Sequence, residues 1–299
     1  MNGDLGQIEY VFSDKTGTLT CNEMKFRSSS VGGIIFGHPQ GDKMLTEMEQ
    51  TGGDATVEMD GNQVRSLDAL AAQANGTNTD TLAQAARSFA EVMAVCHTVI
   101  VENDKKRGRI SYQAESPDEE ALVSGGRRVG WTYTDKTPST IVVRQNGADR
   151  VYKILALIEF NSTRKRMSVL TQCPDGTYKL LIKGADNIMF DRTATDGFKL
   201  CGESNAQGRE NVSRHLEFFS TQGLRTLVLG EKVLSKVEAE EWMSEWHAAC
   251  SSTTERGQKM DLAAAKIEFG VTVVGCTAIE DRLQDDVPQT IADLRKAAV

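Results

Sequence analysis

Apolar and polar positions along the chain follow two periods, and the period changes several times. Residues 8–12, Ile8-Glu9-Tyr10-Val11-Phe12, form a short run rich in β-branched and aromatic residues that predicts a buried strand of a parallel sheet. Residues 24–36 are strand-like but broken at Gly32 and Gly33. From Leu82 through Ala86, Phe89, Met93 and Cys96 the apolar groups recur at helical spacing, behind a cap at Thr79 or Asp80. Strands are then predicted at 131–134, 141–144, 151–160, 166–171 and 178–182. Asn146-Gly147 and Pro174-Asp175-Gly176 join pairs of them as hairpin turns, so this sheet is mainly antiparallel.

Helices are expected at 185–191 and 209–221, with a strand at 226–229. Ser116-Pro117-Asp118-Glu119 reads as a helix start with Ser116 as N-cap and Glu119 completing a capping box; Ser235 and Glu238 repeat the pattern. The second of these helices carries Trp242 and Trp246 on one face, where core packing explains them. A buried parallel strand returns at 271–278, and Asp285 or Asp286 with Pro288 opens a last helix. Residues 37–79 are polar and Gly-rich with little periodicity, as in a solvated insertion. Parallel strands at both ends around an antiparallel middle predict an α/β unit made of residues 1–25 and 270–299, split by an inserted α+β domain over 26–269.

Composition narrows the function more than the fold. The net charge of −8 disfavours nucleic acid as a partner, because a phosphate backbone would meet a repulsive field. No apolar stretch reaches the ~18 residues of a membrane span, and no signal peptide opens the chain. The six cysteines form no CxxC pair, and the four histidines have no metal-ligand spacing, which fits free thiols in a reducing compartment.

The chemistry concentrates in Asp14-Lys15-Thr16-Gly17-Thr18-Leu19-Thr20, just past the first predicted strand. A carboxylate at that end of a sheet can act as a nucleophile toward phosphorus. Lys15 and a divalent cation would offset the charge on the transferred oxygens, and Gly17 lets the backbone turn closely. The plainer reading is a surface turn. Three further segments suit a nucleotide. Residues 159–169 set Phe160 beside Arg164, Lys165 and Arg166; Lys183-Gly184-Ala185-Asp186 leads from a strand into a helix; and Gly223-Leu224-Arg225-Thr226 brings a cation to a strand start. Each alone is explained by structure.

The run DKTGTLT resembles the phosphorylation motif of P-type ATPases. Phosphatases of the haloacid dehalogenase superfamily usually carry a second Asp two places on, where this chain has Thr16, so slow hydrolysis of a phospho-aspartate is implied. SPDE, EFNSTRKRMSV, IKGAD, QGLRTL and IEDRLQDDVPQTIADLRKA are similar to segments of the type IV P-type ATPases, the phospholipid flippases. That resemblance implies a partial haloacid-dehalogenase-like Rossmann phosphorylation domain split by an α+β nucleotide-binding domain. It implies ATP and Mg²⁺ as cofactors, with Asp14 phosphorylated, Lys15 and Thr16 at the phosphate and magnesium end, and the metal held through Asp14 and the Thr16 carbonyl. Phe160 would stack on adenine, Lys183 and Arg225 would contact the nucleotide, and Glu119 would lie at its adenosine end unless its capping-box position explains it. Asp281 resembles an acidic position near the ribose and hinge.

The same resemblance implies the cytoplasmic domain of a multi-pass membrane protein. Phospholipid and membrane would be met only through transmembrane helices outside this sequence, with an accessory subunit as a further partner. The actuator domain and the TGD and GDGxND segments are also outside it, so nucleotide binding without turnover is expected. Two other readings remain: a haloacid-dehalogenase-type phosphatase with a large cap domain, and a regulatory module using the inserted domain alone.

Overall fold

A computed structural model describes residues 8–38, 56–104 and 109–297. After the turn at Asp14, β1 (Thr20–Val31) and β2 (Ile34–Phe36) form a hairpin across Gly32 and Gly33, and β3 (Val57–Met59) and β4 (Asn62–Arg65) a second one. Two helices follow, α1 (Leu67–Asn75) and α2 (Thr81–Val95), then the small hairpin β5 (Ile100–Asp104) and β6 (Arg109–Gln113) and the helix α3 (Pro117–Arg128). A meander runs through β7 (Trp131–Thr137), β8 (Thr140–Gln145), β9 (Ala148–Ile158), β10 (Arg166–Gln172) and β11 (Tyr178–Gly184). The remainder is α4 (Asp186–Phe190), α5 (Asn205–Thr221), β12 (Arg225–Leu234), α6 (Lys236–Cys250), α7 (Arg256–Ile267), β13 (Thr272–Leu283) and α8 (Val287–Lys296).

Eleven strands form one sheet in the order β3-β4-β2-β1-β13-β12-β11-β10-β9-β8-β7, antiparallel throughout except for β2 beside β4. The meander matches the alternating pattern. Asn146 and Gly147 both hold positive φ, 51° and 80°, as the tight β8–β9 turn requires. One face is covered by α1, α2 and α3 around Phe89, Leu122 and Tyr133, all buried. The other carries α4 and α5 on Val228 and Val273, and the α6–α7 pair on Leu170 and Leu180. There the capping box at Ser235 and Glu238 is formed, and Trp242 stacks on Trp246 with ring centroids 5.3 Å apart while its Nε1 donates to the Ala263 carbonyl.

Three expectations are corrected. Residues 8–13 form no strand, and Ile8, Tyr10, Val11 and Phe12 are exposed, Phe12 at 95%. An apolar run becomes a strand only where a neighbour takes its hydrogen bonds, and among the described residues none lies beside it. Apart from Val271, the run at 271–278 belongs to β13, which is buried but antiparallel to both β1 and β12. Its apolar character reflects cover on both faces, Val273 and Cys276 on one and Val274 and Ile279 on the other, a pattern that a central antiparallel strand shares with a parallel one. Because α6 and α7 form a hairpin, the chain re-enters the sheet near where it left and runs back beside β12. Finally, the polar stretch holds β3, β4 and α1. Ser66 accepts from Ala69 N to cap α1, and Leu67, Leu70 and Ala74 are buried. Residues 39–55 of that stretch lie outside the described residues.

Candidate functional site

The α3 N-terminus, the start of β5, the β9–β10 loop and the end of β11 enclose a cavity of about 720 Å³. Glu119, Phe160 and Lys183 all line it, so three of the residues singled out in sequence meet there although they are far apart in the chain. Phe160 stands at the mouth, 61% exposed. Lys183 is buried where β11 runs out toward α4, and the missing side chain of Gly184 lets the strands close. A Cβ there would lie 2.7 Å from that of Arg166.

Glu119 does not complete a capping box. Ser116 occupies the N-cap position without a side-chain bond, and Pro117 supplies the helical φ. The Glu119 carboxylate turns inward instead: Oε1 accepts from Lys183 Nζ at 2.5 Å, and Oε2 accepts from Thr98 N at 3.0 Å and Thr98 Oγ1 at 2.6 Å. Burial pushes this carboxyl up, but the Lys183 charge and the donors from Lys183 and Thr98 outweigh it and hold it below the ordinary carboxylate value. One of the three Lys183 protons faces Glu119, which leaves donors for a ligand in the cavity.

Asp14 and Thr16 lie outside the cavity on an exposed turn. Asp14 accepts from Lys15 N at 2.7 Å, and Gly17 takes φ +82°, a conformation rather than a lack of space that calls for glycine, since a Cβ there would touch nothing. The turn is nevertheless tied to the cavity by alternating charges. Lys15 Nζ lies 3.1 Å from Asp281 Oδ2; that oxygen also accepts from Arg225 Nη2 at 3.1 Å; and Arg225 Nη1 donates to Asp118 Oδ2 at 3.2 Å. Asp118 lines the cavity beside Glu119. Arg225 therefore flanks the cavity through Asp118 rather than lining it. Burial raises the Asp281 carboxyl, yet bonds from Lys15 and Thr20 and the Arg225 charge bring it below its ordinary value.

Asp281 thus has a larger part than its position in the IEDRLQDD run suggested, and Asp118 and Thr98 enter the site without having been singled out. Asp118 was legible as the acid of the SPDE segment, whereas Thr98 carries no local signal. Among the described residues no three His, Cys, Asp or Glu side chains converge as a metal site made of protein alone would need. No helix of the described residues is long and apolar enough to cross a membrane.

Residues 85–286 match the family model of the P-type ATPase, cytoplasmic domain N, and the chain belongs to that family. It is 43% identical over 300 residues to phospholipid-transporting ATPase DRS2 of Saccharomyces cerevisiae, covering 99% of this chain and 21% of the relative. A phospholipid-transporting ATPase of Schizosaccharomyces pombe is 38% identical over 296 residues, covering 99% and 22%. Phospholipid-transporting ATPase IC of Homo sapiens is 36% identical over 301 residues, covering 100% and 23%. The chain spans about a fifth of the length of these relatives.

Proposed function

We propose that the chain is the ATP-binding and aspartyl-phosphorylation region of a phospholipid-translocating P-type ATPase, in which ATP hydrolysis is coupled to lipid transport by the full-length protein. The observation that carries this reading is the convergence of Glu119, Phe160 and Lys183 on one cavity linked through Asp118, Arg225 and Asp281 to the turn bearing Asp14. Phe160 stacks on the adenine at the mouth, Lys183 and Arg225 meet the nucleotide, and Glu119 holds the Lys183 ammonium in place. Asp14 is the nucleophile, and Lys15 neutralises charge at the phosphate end.

The oxygens at the turn, the Asp14 carboxylate and the Thr16 main-chain carbonyl, are hard donors of the kind Mg²⁺ takes, but they make up only part of a six-oxygen shell. When bound there, Mg²⁺ would neutralise charge on the transferring phosphoryl group. Phosphoryl transfer is chiefly positioning and charge stabilisation, so the chain alone binds ATP without turning it over. Residues 1–25 and 270–299 contribute to a phosphorylation domain and 26–269 to the nucleotide-binding domain, with the paired strands β1 and β13 as the passage between them. Lipid and any accessory subunit are met by the rest of the protein.

The test is ATP labelling of the full-length protein. An acid-stable, hydroxylamine-sensitive phosphate on Asp14 that is lost in Asp14→Asn, with nucleotide binding kept, is the expected result. A label that survives Asp14→Asn assigns the chemistry elsewhere.

A further inference from the structure

Successive side chains of a strand point to opposite faces. Along β10, Met167 lines the cavity while Arg166 and Ser168 point to the far side of the sheet. Both meet Glu268, the C-cap residue just after α7, which is fully buried. Its Oε2 accepts from Arg166 Nε at 2.6 Å, and its Oε1 accepts from Ser168 Oγ at 2.7 Å and from Arg164 Nη2. None of these four residues lines the cavity.

The cluster holds the backbone that carries Phe160. Arg164 Nη1 donates to the Glu159 carbonyl at 2.9 Å, and Arg164 N donates to Asn161 Oδ1 at 2.7 Å. Lys165 N closes the turn onto the Asn161 carbonyl at 2.8 Å, with Lys165 itself at φ +51°, and the Lys165 carbonyl accepts from Ala185 N at 3.0 Å. The loop is therefore fixed at both ends, and the anchor of its Arg164 strut is a carboxylate about a hundred residues later in the chain. An exposed ring has little packing of its own to orient it. The direction of Phe160 is set by this backbone.

We infer that Glu268 is a positioning residue for nucleotide: from the far face of the sheet it fixes residues 159–165, so that Phe160 is already aimed across the cavity mouth when the base arrives. The inference rests on the nucleotide reading of the cavity. Preorganisation of this kind raises affinity by removing the cost of ordering a loop on binding.

Calorimetric ATP titration of the 299-residue chain tests it with Phe160→Ala, Glu268→Gln, the double variant, and Glu91→Gln. The last breaks a buried pair with Lys179 that has no link to the loop. Glu268→Gln keeps the shape and removes the charge. It should weaken ATP by about tenfold in the wild-type background and by under about twofold once Phe160 is absent, because no ring is then left to place. Glu91→Gln should lower the melting temperature and leave affinity unchanged. Arg164→Lys keeps a cation at Glu268 but loses the fork that reaches the Glu159 carbonyl. It should repeat the pattern, and it decides the matter if Glu268→Gln does not fold. Wild-type affinity in the Glu268 and Arg164 variants, with Phe160→Ala weakened, overturns this inference alone. Equal losses in both backgrounds also overturn it, as a general structural effect. Unchanged affinity in Phe160→Ala overturns the nucleotide reading and this inference together.

Discussion

Arg225 Nη2 donates to Asp281 Oδ2 at 3.1 Å, joining the first residue of β12 to a carboxylate near the end of β13 that also holds Lys15. Asp281 is buried at its side chain, while Lys15 and Arg225 are far more open, at 61% and 40%. The carboxylate is thus a buried post to which two more open cations attach. Asp281→Asn should leave the sheet intact and release the Lys15 turn, seen as faster amide exchange over residues 15–20. A loss of about 1–3 kcal/mol in urea melts should accompany it, as for a buried charged hydrogen-bond partner. Unchanged exchange at the turn would show that Asp281 does not hold it.

Phe160→Ala removes the ring at the cavity mouth. Base stacking on an aromatic side chain is worth about 1–3 kcal/mol by alanine substitution, and a loss of ATP affinity of that size is expected. The ring is mostly exposed, so thermal stability should hardly change. Full affinity without the ring would take Phe160 out of the site.

Lys183→Ala should weaken ATP, and the difference from wild type should shrink as salt rises, since a charge-assisted contact is screened. The same variant leaves Glu119 buried with Thr98 as its remaining donor, so it should also unfold at lower urea. Glu119→Gln in the Lys183→Ala background should recover part of that stability. A difference in affinity that is independent of salt would rule out an electrostatic role for Lys183.

Acid should destabilise the fold in two stages. Burial first, and then nearby Lys183, lowers His97 from the ordinary 6.5 to about 3; burial and Arg214 lower His215 to about 4. Both histidines stay neutral in the fold and take up protons when it opens. The contribution of these two histidines is therefore level above about pH 7 and falls as pH drops from 6.5 toward 4 for His215 and toward 3 for His97. The carboxyls of Glu119 and Asp281, held below their ordinary values of 4.5 and 3.8, add their loss from about those values downward, overlapping the acid end of the histidine range. Urea melts across pH 7.5 to 4 check the first stage, and His215→Gln should make its slope shallower. A slope unaffected by that change would assign the acid sensitivity to other groups.

The meander and its turns were legible because alternation and the Asn146-Gly147 and Pro174-Asp175-Gly176 signals are local. The helix from Asp80 and the Ser235 capping box were legible for the same reason. Strand direction at 271–278 was not, since apolar content reports cover on both faces and not the course of the neighbouring strand. The run at 8–12 reads as a strand by composition, but pairing decides. At the site, residue types pointed to Phe160 and Lys183, while Glu119 was reached only through the family resemblance; their meeting needed the tertiary fold. The Ser116 and Glu119 capping box was overridden because Lys183, distant in sequence, offered Glu119 a charged partner. Glu268 had no local signal, for its partners lie about a hundred residues away.

The central claim is that the cavity lined by Glu119, Phe160 and Lys183 receives the nucleotide, and calorimetric titration of ATP into this chain tests it most directly. Saturable one-to-one binding, competed by ADP and weakened in both Phe160→Ala and Lys183→Ala, is the predicted result. No binding heat at millimolar ATP, or binding that neither variant affects, would contradict it.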